Sequence, residues 1–177
     1  MILTIGHSTH PPEVFLSLLR RHGAGQVADV RTIPKSRRHP HFAGKALSPF
    51  LARHGIAYRH CPALGGLRKP RADSINTAWQ HPGFRGYADH MQTAEFARGL
   101  DALLEFAREG EHRSAGRTAI LCAEARWWQC HRRLLSDALL VRGVPVRHIL
   151  AQATPDPHEL TAFARVDGLK VIYPGLL

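Results

Sequence analysis

Short apolar runs alternate with amphipathic segments along most of the chain. The apolar runs are four to seven residues long and predict buried strands; they are ILTI, QVADV, IAYRH, RTAIL, VPVRHIL and LKVIY. The amphipathic segments predict helices; they are about Pro11 to Gly23, LSPFLARHG, Thr93 to about Glu109, Gln129 to Arg142, and HELTAFARV. This alternation predicts a single α/β domain, residues 1–177, with a mostly parallel sheet flanked by helices.

One segment breaks the alternation. Residues 61–92 contain repeated proline and glycine, including Gly65-Gly66 and Pro82-Gly83, and predict a long loop. Long loops inside compact domains usually carry function or are mobile. We therefore expect residues 61–92 to carry function or to be mobile.

Polar residues follow three of the predicted strands. Gly6-His7-Ser8 follows the first strand, Asp29-Val30-Arg31 closes the second, and Cys122-Ala123-Glu124 closes a later one. In an open parallel sheet the carboxyl ends of the strands gather at one edge, where ligands bind. The three groups are therefore predicted to share one crevice.

The segment Cys130-His131-Arg132 adds a candidate nucleophile. If the helix begins near Gln129, the Cys130 thiol lies in its first turn, where the helix dipole favours a thiolate or a bound anion. Neighbouring histidine or glutamate side chains can then move protons. The candidate catalytic residues are His7, Asp29, Cys122, Glu124, Cys130 and His131, and the candidate anion-binding residues are Ser8, Arg31, Arg37, Arg38 and Arg132.

The same residues have structural interpretations. Cysteine is among the most buried residue types, so both thiols can belong to the core. Cys122, Glu124, Cys130 and His131 include acceptable zinc ligands, but the cysteines are too far apart for a short zinc knuckle, and adjacent Cys130 and His131 rarely reach one ion. The sequence therefore assigns no metal ligand and no cofactor, and a zinc-binding domain stays an alternative.

Positive charge is concentrated in one segment. The formal net charge is +10, and the stretch between Asp29 and Asp73 holds no acidic residue but ten Lys or Arg residues, all within 31–71. Such a field attracts phosphates and polyanions. The expected partner is a phosphorylated small molecule or a nucleic acid, although an arginine-rich solvated face without a ligand is the alternative.

Several classes of protein lack support in the sequence. No Walker phosphate loop and no Gly-x-Gly-x-x-Gly follows a strand, and Trp128 stands where a Cys-x5-Arg phosphatase loop from Cys122 requires arginine. No apolar run approaches the roughly 20 residues that span a bilayer, and the first residues do not resemble a secretory signal. Three cysteines, an odd count, favour free thiols in a reducing compartment. We expect a cytoplasmic protein without membrane contact, and the oligomeric state is left open.

A set of short motifs extends over nearly the whole chain. In order they are TIGHST, DVRTIPKSRR, HPHF, GIAYRHCPALGG, FRGYADHM, LCAEARWWQCHRRLLSDALLVRG and a terminal YP. Together they resemble the domain of unknown function 488 family, which implies a compact α/β domain and no established reaction. The characteristic polar positions of that family match here at Gly6, His7, Ser8, Asp29, Arg31, Ser36, Arg37, Gly65, Gly66, Tyr87, Cys122, Glu124, Cys130, His131 and Arg132. The Arg126-Trp127-Trp128 segment departs from the family pattern.

These observations favour an enzyme or enzyme-like domain that acts on a phosphorylated or nucleic-acid ligand at the carboxyl edge of the sheet. The reaction class is not defined by the sequence. A non-catalytic module that binds nucleic acid through residues 31–71 is the principal alternative.

Overall fold

Eight strands and five α-helices follow one another in the computed structural model, which describes residues 1–151 and 154–175. The strands are β1 (Ile2–Gly6), β2 (Ala24–Asp29), β3 (Ala57–His60), β4 (Arg117–Cys122), β5 (Val146–Ile149), β6 (Asp156–Pro157), β7 (Arg165–Asp167) and β8 (Lys170–Ile172). The helices are α1 (Pro12–Arg21), α2 (Gly44–Arg53), α3 (Pro82–His90), α4 (Ala94–His112) and α5 (Arg132–Val141). Among the described residues, no helix is both long and apolar enough to cross a bilayer.

Six strands form one sheet in the order β3-β2-β4-β1-β5-β6. Strands β1 to β5 pair in parallel, and only the short edge strand β6 is antiparallel. Strands β7 and β8 form a separate hairpin. The central strand β1 is buried along its whole length, as expected for a parallel strand covered by helices on both faces. The predicted α/β domain with a mostly parallel sheet is confirmed.

Each face of the sheet has its own apolar core. On one face, Phe15 of α1 and Leu51 of α2 belong to a cluster with residues of β1 and β2. On the other face, Leu103 of α4 and Leu134 of α5 belong to a cluster with Ile120 of β4. Burial of these side chains provides the main driving force for folding.

The two neighbouring central strands send the chain to opposite faces of the sheet. Gly6 at the end of β1 lies beside Cys122 at the end of β4. From β1 the chain continues into α1 on one face, and from β4 it continues into α5 on the other. Such a reversal leaves a crevice beyond the carboxyl ends of the strands, where open α/β sheets bind ligands. The topology thus places the segments that begin at His7 and Ala123 together at the switch point.

The long connection from 61 to 92 contains a helix that the sequence did not predict. Its last third forms α3, in which Pro82 occupies the first turn and the His81 side chain accepts a hydrogen bond from the Gly83 N–H. Glycine lowers helix propensity, which hid the element from the sequence pattern. Tyr87 and His90 are buried, and they pack α3 against the apolar core on the side of the sheet that α4 and α5 cover. This tertiary packing outweighs the low helix propensity of the segment.

Other boundaries also differ from the sequence pattern. The prediction of a helix in HELTAFARV was wrong, because its polar groups bind α5 instead: the Thr161 N–H and the His158 ring both hydrogen-bond Asp137. Helix α5 begins at Arg132, so Cys130 precedes the helix in an extended conformation instead of lying in its first turn.

Candidate functional site

A cleft of about 680 Å³ opens at the topological switch point. We call this cavity the cleft; it is lined by His7, Arg31, Ile33, Lys35, Ser36, Gly66, Leu67, His81, Gly83, Phe84, Cys122, Ala123, Glu124, Trp128, Gln129, Cys130 and His131. The predicted groups after β1, β2 and β4 therefore meet in one cavity. Of the six candidate catalytic residues, Asp29 alone does not line it.

Asp29 lies behind the cleft, where it orients Arg31. The carboxylate is fully buried and accepts two hydrogen bonds from the Arg31 guanidinium and one from the Arg31 backbone N–H. The Tyr58 hydroxyl donates a further hydrogen bond to the same carboxylate over 2.7 Å. With these partners the carboxylate is satisfied, so Asp29 fixes the Arg31 fork and does not face a ligand.

His7 forms one side of the cleft as a neutral ring. Its Nδ1 is 2.9 Å from the Ser8 carbonyl oxygen, and its Nε2 is 3.3 Å from a guanidinium nitrogen of Arg31. These partners fit a ring that donates from Nδ1 and accepts at Nε2. The pKa of His7 is lowered from 6.5 to about 4, mainly by burial and also by the Arg31 charge, while the hydrogen bond to Ser8 opposes the shift. Phe42 stacks on the ring with 4.4 Å between centroids.

Two thiols and an imidazole form the opposite side of the cleft. His131 Nδ1 lies 3.6 Å from Cys130 Sγ and 4.0 Å from Cys122 Sγ. The three atoms all lie within 4.8 Å of one another, and we call these residues the cysteine–histidine cluster. His131 Nε2 is 3.2 Å from the Val30 carbonyl oxygen, so the ring donates there and turns Nδ1 toward the sulfurs.

The two thiols differ in acidity. Burial works to raise the pKa of Cys130, but a hydrogen bond from Cys122 and the proximity of His131 and Arg132 outweigh it and lower that pKa well below its usual range. The same hydrogen bond, together with burial, raises the pKa of Cys122. The cluster therefore favours a thiolate at Cys130 beside a protonated Cys122.

The loop that carries Cys130 is fastened at several points. Arg132, only 1% exposed, donates to the Glu124 carbonyl oxygen and, over 3.4 Å, to Cys130 Sγ. A side chain on Gly6 would place its Cβ only 1.9 Å from the Glu124 carbonyl oxygen, so residue 6 must be glycine for the loop to cross β1. Arg132 thus holds the loop and is too buried to bind a ligand itself.

Residues of the long connection complete the cleft, and no sequence argument from chemistry predicted them. A Cβ on Gly66 would lie 2.3 Å from His131 Nδ1, so the absence of a side chain at this position makes room for the imidazole. Tyr87 of α3 packs on the other side of that ring, with 4.9 Å between centroids. The only sequence signal for these residues was their match to the family motifs.

A second cavity of about 620 Å³ adjoins the cleft and shares six lining residues with it: His7, Lys35, Ser36, Ala123, Glu124 and Gln129. We call it the basic recess; its remaining lining residues are Ser8, Thr9, Arg37, Arg38, His39, Ala125 and Arg126. Glu124, an exposed carboxylate, stands where the two cavities meet. The predicted anion-binding residues Ser8, Arg37 and Arg38 therefore lie together beside the cleft.

Not all of the positive charge in residues 31–71 is available to a ligand. Four arginines of this segment make ion pairs within the chain: Arg31–Asp29, Arg59–Glu109, Arg68–Glu95 and Arg71–Asp73. Among the described residues, the other six cations of the segment make no salt bridge: Lys35, Arg37, Arg38, Lys45, Arg53 and Lys69. Three of these six, Lys35, Arg37 and Arg38, line the basic recess.

Fold and site together define an α/β protein with a cysteine–histidine cluster in a crevice at the carboxyl edge of a parallel sheet. The chain belongs to the family described as Domain of unknown function DUF488, whose profile matches residues 11–139. The resemblance seen in the sequence motifs is thereby confirmed. No curated protein and no solved structure shows a significant match to the chain.

Proposed function

We propose that the protein is an enzyme that acts on a phosphorylated or nucleic-acid ligand in the cleft. One observation carries this proposal: a cavity with a cysteine–histidine cluster on one side opens directly into a recess of unpaired basic side chains. An acidic thiol beside an imidazole is suited to nucleophilic catalysis, and the basic side chains are suited to bind phosphate groups.

The roles divide between the two cavities. Lys35, Arg37 and Arg38 bind the phosphate groups of the ligand, because they line the basic recess and make no salt bridge with described residues of the chain. The cluster reacts with the bound ligand, and Glu124 moves protons at the boundary, where its carboxylate is exposed. Asp29 and Arg31 act indirectly, by fixing His7.

Binding is tested by titration with two probes, inorganic pyrophosphate and a fluorescently labelled single-stranded oligonucleotide. Arg37→Ala/Arg38→Ala should weaken binding and reduce the slope of log K against log salt by about 1–2. The matched control is Lys45→Ala/Arg53→Ala, which removes two exposed charges of α2 that lie outside both cavities. Equal effects of the two double variants, or no binding of either probe at low salt, would contradict the proposal.

Catalysis is tested by mass spectrometry of the oligonucleotide and of a nucleotide mixture after incubation with the protein, with and without added divalent metal. The wild type should change the mass of at least one species, and Cys130→Ser or Glu124→Gln should abolish that change.

A non-catalytic nucleic-acid-binding module is the second candidate, favoured by the unpaired charge of the basic recess. It requires steeply salt-dependent oligonucleotide binding that Cys122→Ser leaves intact, with no mass change in any species. That combination would replace the enzyme by a binding module.

A further inference from the structure

The cysteine–histidine cluster has the dimensions of a zinc site. With Zn–S near 2.3 Å and Zn–N near 2.0–2.1 Å, a tetrahedral ion separates its sulfur and nitrogen ligands by about 3.6 Å. His131 Nδ1 is 3.6 Å from Cys130 Sγ and 4.0 Å from Cys122 Sγ. The sequence objection to zinc, that adjacent Cys130 and His131 rarely reach one ion, does not apply to this conformation. The extended backbone at Cys130 and the turn at His131 direct both side chains to the same point.

The surroundings of the cluster match those of a metal ligand set. A histidine that binds a metal usually donates its other ring N–H to a carbonyl or carboxylate, and His131 Nε2 has the Val30 carbonyl oxygen at 3.2 Å. Cys130 Sγ receives a hydrogen bond from Arg132 Nε over 3.4 Å, which stabilises a thiolate ligand. All three cysteines of the chain are free thiols, so no disulfide competes for the sulfurs.

We propose that Cys122, Cys130 and His131 bind one zinc ion whose fourth coordination position opens into the cleft. This inference rests on the proposed function, since it names the cofactor of the same site. Structural zinc sites are closed by four protein ligands, whereas catalytic sites have three and leave a position for water or substrate. The cluster offers three ligand atoms within 4.8 Å of one another among the described residues, and all three residues line the cleft.

The charges of the site select an anionic fourth ligand. Two thiolates neutralise the ion, and the histidine ligand is neutral, so the positive charge of Lys35 and of the basic recess remains available. A phosphate oxygen bound to the zinc can then place its other oxygens toward Lys35. Sulfur and imidazole ligands in a tetrahedral arrangement favour Zn²⁺ over Mg²⁺ or Ca²⁺, which prefer oxygen.

Metal binding is measured on the full-length chain, purified without a metal-affinity step. Elemental analysis and titration with Zn²⁺ against a chromophoric chelator should give about one ion per chain. Replacement by Co²⁺ should produce thiolate-to-cobalt charge transfer and the intense visible bands of tetrahedral cobalt. Inorganic phosphate should shift the visible bands, because the fourth position is open. Unshifted bands at a phosphate concentration at which phosphate binding to the protein is itself detected would show a closed site and would contradict an open position.

Variants assign the ligands. Cys122→Ser, Cys130→Ser and His131→Gln should each lower zinc affinity by more than the about 10–100-fold that loss of an outer-shell partner costs. Cys61→Ser is the matched control, because Cys61 is also a buried free thiol but does not belong to the cluster. Circular dichroism checks that each variant is folded, and the cobalt spectrum of the wild type tests the site without any substitution.

The outcomes separate this inference from the proposed function. A folded wild type that binds neither Zn²⁺ nor Co²⁺ stoichiometrically overturns the zinc site, even if pyrophosphate still binds in an Arg37- and Arg38-dependent way. A chain that binds zinc through the cluster but binds neither pyrophosphate nor the oligonucleotide retains the metal site and loses the proposed function.

Discussion

Two arginine–aspartate pairs of this chain share the same spacing but differ in burial. Arg31 and Asp29 form a bidentate pair that is nearly inaccessible to solvent, whereas Arg71 and Asp73 form one that is exposed. A buried charge that loses its partner has no water to replace it, while an exposed charge is readily solvated. The two pairs therefore provide a test of whether Asp29 is structural.

Asp29→Asn should destabilise the fold by about 3–5 kcal/mol, because it leaves the Arg31 guanidinium buried without a counter-charge. Asp73→Asn should leave the free energy of unfolding unchanged, because its pair is fully exposed. Urea denaturation followed by circular dichroism measures both. Equal, small effects of the two substitutions on the free energy of unfolding would show that the Asp29–Arg31 pair does not stabilise the fold.

Sequence reasoning located the residues of the site better than it assigned their roles. His7, Arg31, Cys122 and Glu124 were predicted to meet because polar groups at the ends of parallel strands share an edge, and all four line the cleft. Cys130 and His131, which were candidates because they lie near the start of a helix, line it as well. The burial of Asp29 and Arg132 could not be predicted. The direction of a side chain at the end of a strand depends on contacts from distant segments, here Tyr58 and the Glu124 carbonyl oxygen.

At the scale of elements, the segment from Glu124 to Cys130 is anchored by one of its two adjacent tryptophans. Trp127 stacks on His148 of β5, with 3.9 Å between ring centroids and an angle of 8° between the planes. Trp128 is 41% exposed and lines the cleft. Of the two tryptophans that interrupt the family pattern, Trp127 thus anchors the segment and Trp128 lies at the surface.

Trp127→Ala should destabilise the protein by at least about 1 kcal/mol, the contribution of an aromatic stack, in addition to the lost apolar burial. It should also weaken pyrophosphate binding, because Ala125, Arg126 and Gln129 of the same segment line the basic recess. Trp128→Ala is the control for size and should cost markedly less stability, since its ring is more exposed. Urea denaturation of the two variants measures the free energy of unfolding of each. A larger loss of stability for Trp128→Ala than for Trp127→Ala would show that Trp127 does not anchor the segment.

Elements with a strong periodic pattern were predicted, and those stabilised by tertiary contacts were not. Helix α4 has a long apolar face and Thr93 as its N-terminal cap, and its predicted start was confirmed. Helix α3 contains two glycines and is stabilised by buried contacts with the rest of the chain. HELTAFARV has helical periodicity, but side-chain hydrogen bonds to α5 replace the helix. Local helix propensity therefore predicts neither the formation of α3 nor the absence of a helix in HELTAFARV.

At the scale of the whole molecule, a buried chain of polar groups connects the sheet, α5 and the C-terminal segment. Thr4 Oγ1 lies 2.7 Å from His148 Nδ1, His148 Nε2 lies 3.0 Å from His158 Nδ1, and His158 Nε2 lies 2.9 Å from Asp137 Oδ1. Tyr173 donates to the other oxygen of Asp137 over 2.7 Å. Every ring nitrogen of the two histidines has a hydrogen-bond partner, so His148 is satisfied as a neutral ring.

This network predicts a dependence of stability on pH. Burial, followed by the neighbouring His158, lowers the pKa of His148 from 6.5 to about 3. Between these values the unfolded chain binds a proton that the folded chain does not, so acidification favours unfolding. The contribution of His148 to stability is present above pH 6.5 and declines as the pH falls toward 3, by up to about 1.4 kcal/mol per pH unit.

The measurement compares urea denaturation of the wild type and His148→Asn between neutral pH and about pH 4.5. The variant should lose less stability than the wild type over this range, and the comparison cancels the groups that both proteins share. If the free energy of unfolding changed with pH to the same extent in both proteins, His148 would not be the source of the pH dependence.

The architecture as a whole was predictable because strand and helix alternate along the chain, which left a parallel sheet as the simplest arrangement. The order of the strands was not predictable from the sequence. The placement of β4 between β2 and β1 depends on which face each connection crosses. The same order creates the switch point at which His7 and the cysteine–histidine cluster meet.

The proposed function requires a phosphate-bearing ligand in the cleft and the basic recess, beside the cluster, and a crystal structure of the protein with inorganic pyrophosphate shows whether one binds there. We predict pyrophosphate in contact with Lys35, Arg37 or Arg38 and close to Cys130 and His131. Pyrophosphate bound only elsewhere on the surface, with the cleft holding no part of it, would rule out this binding site.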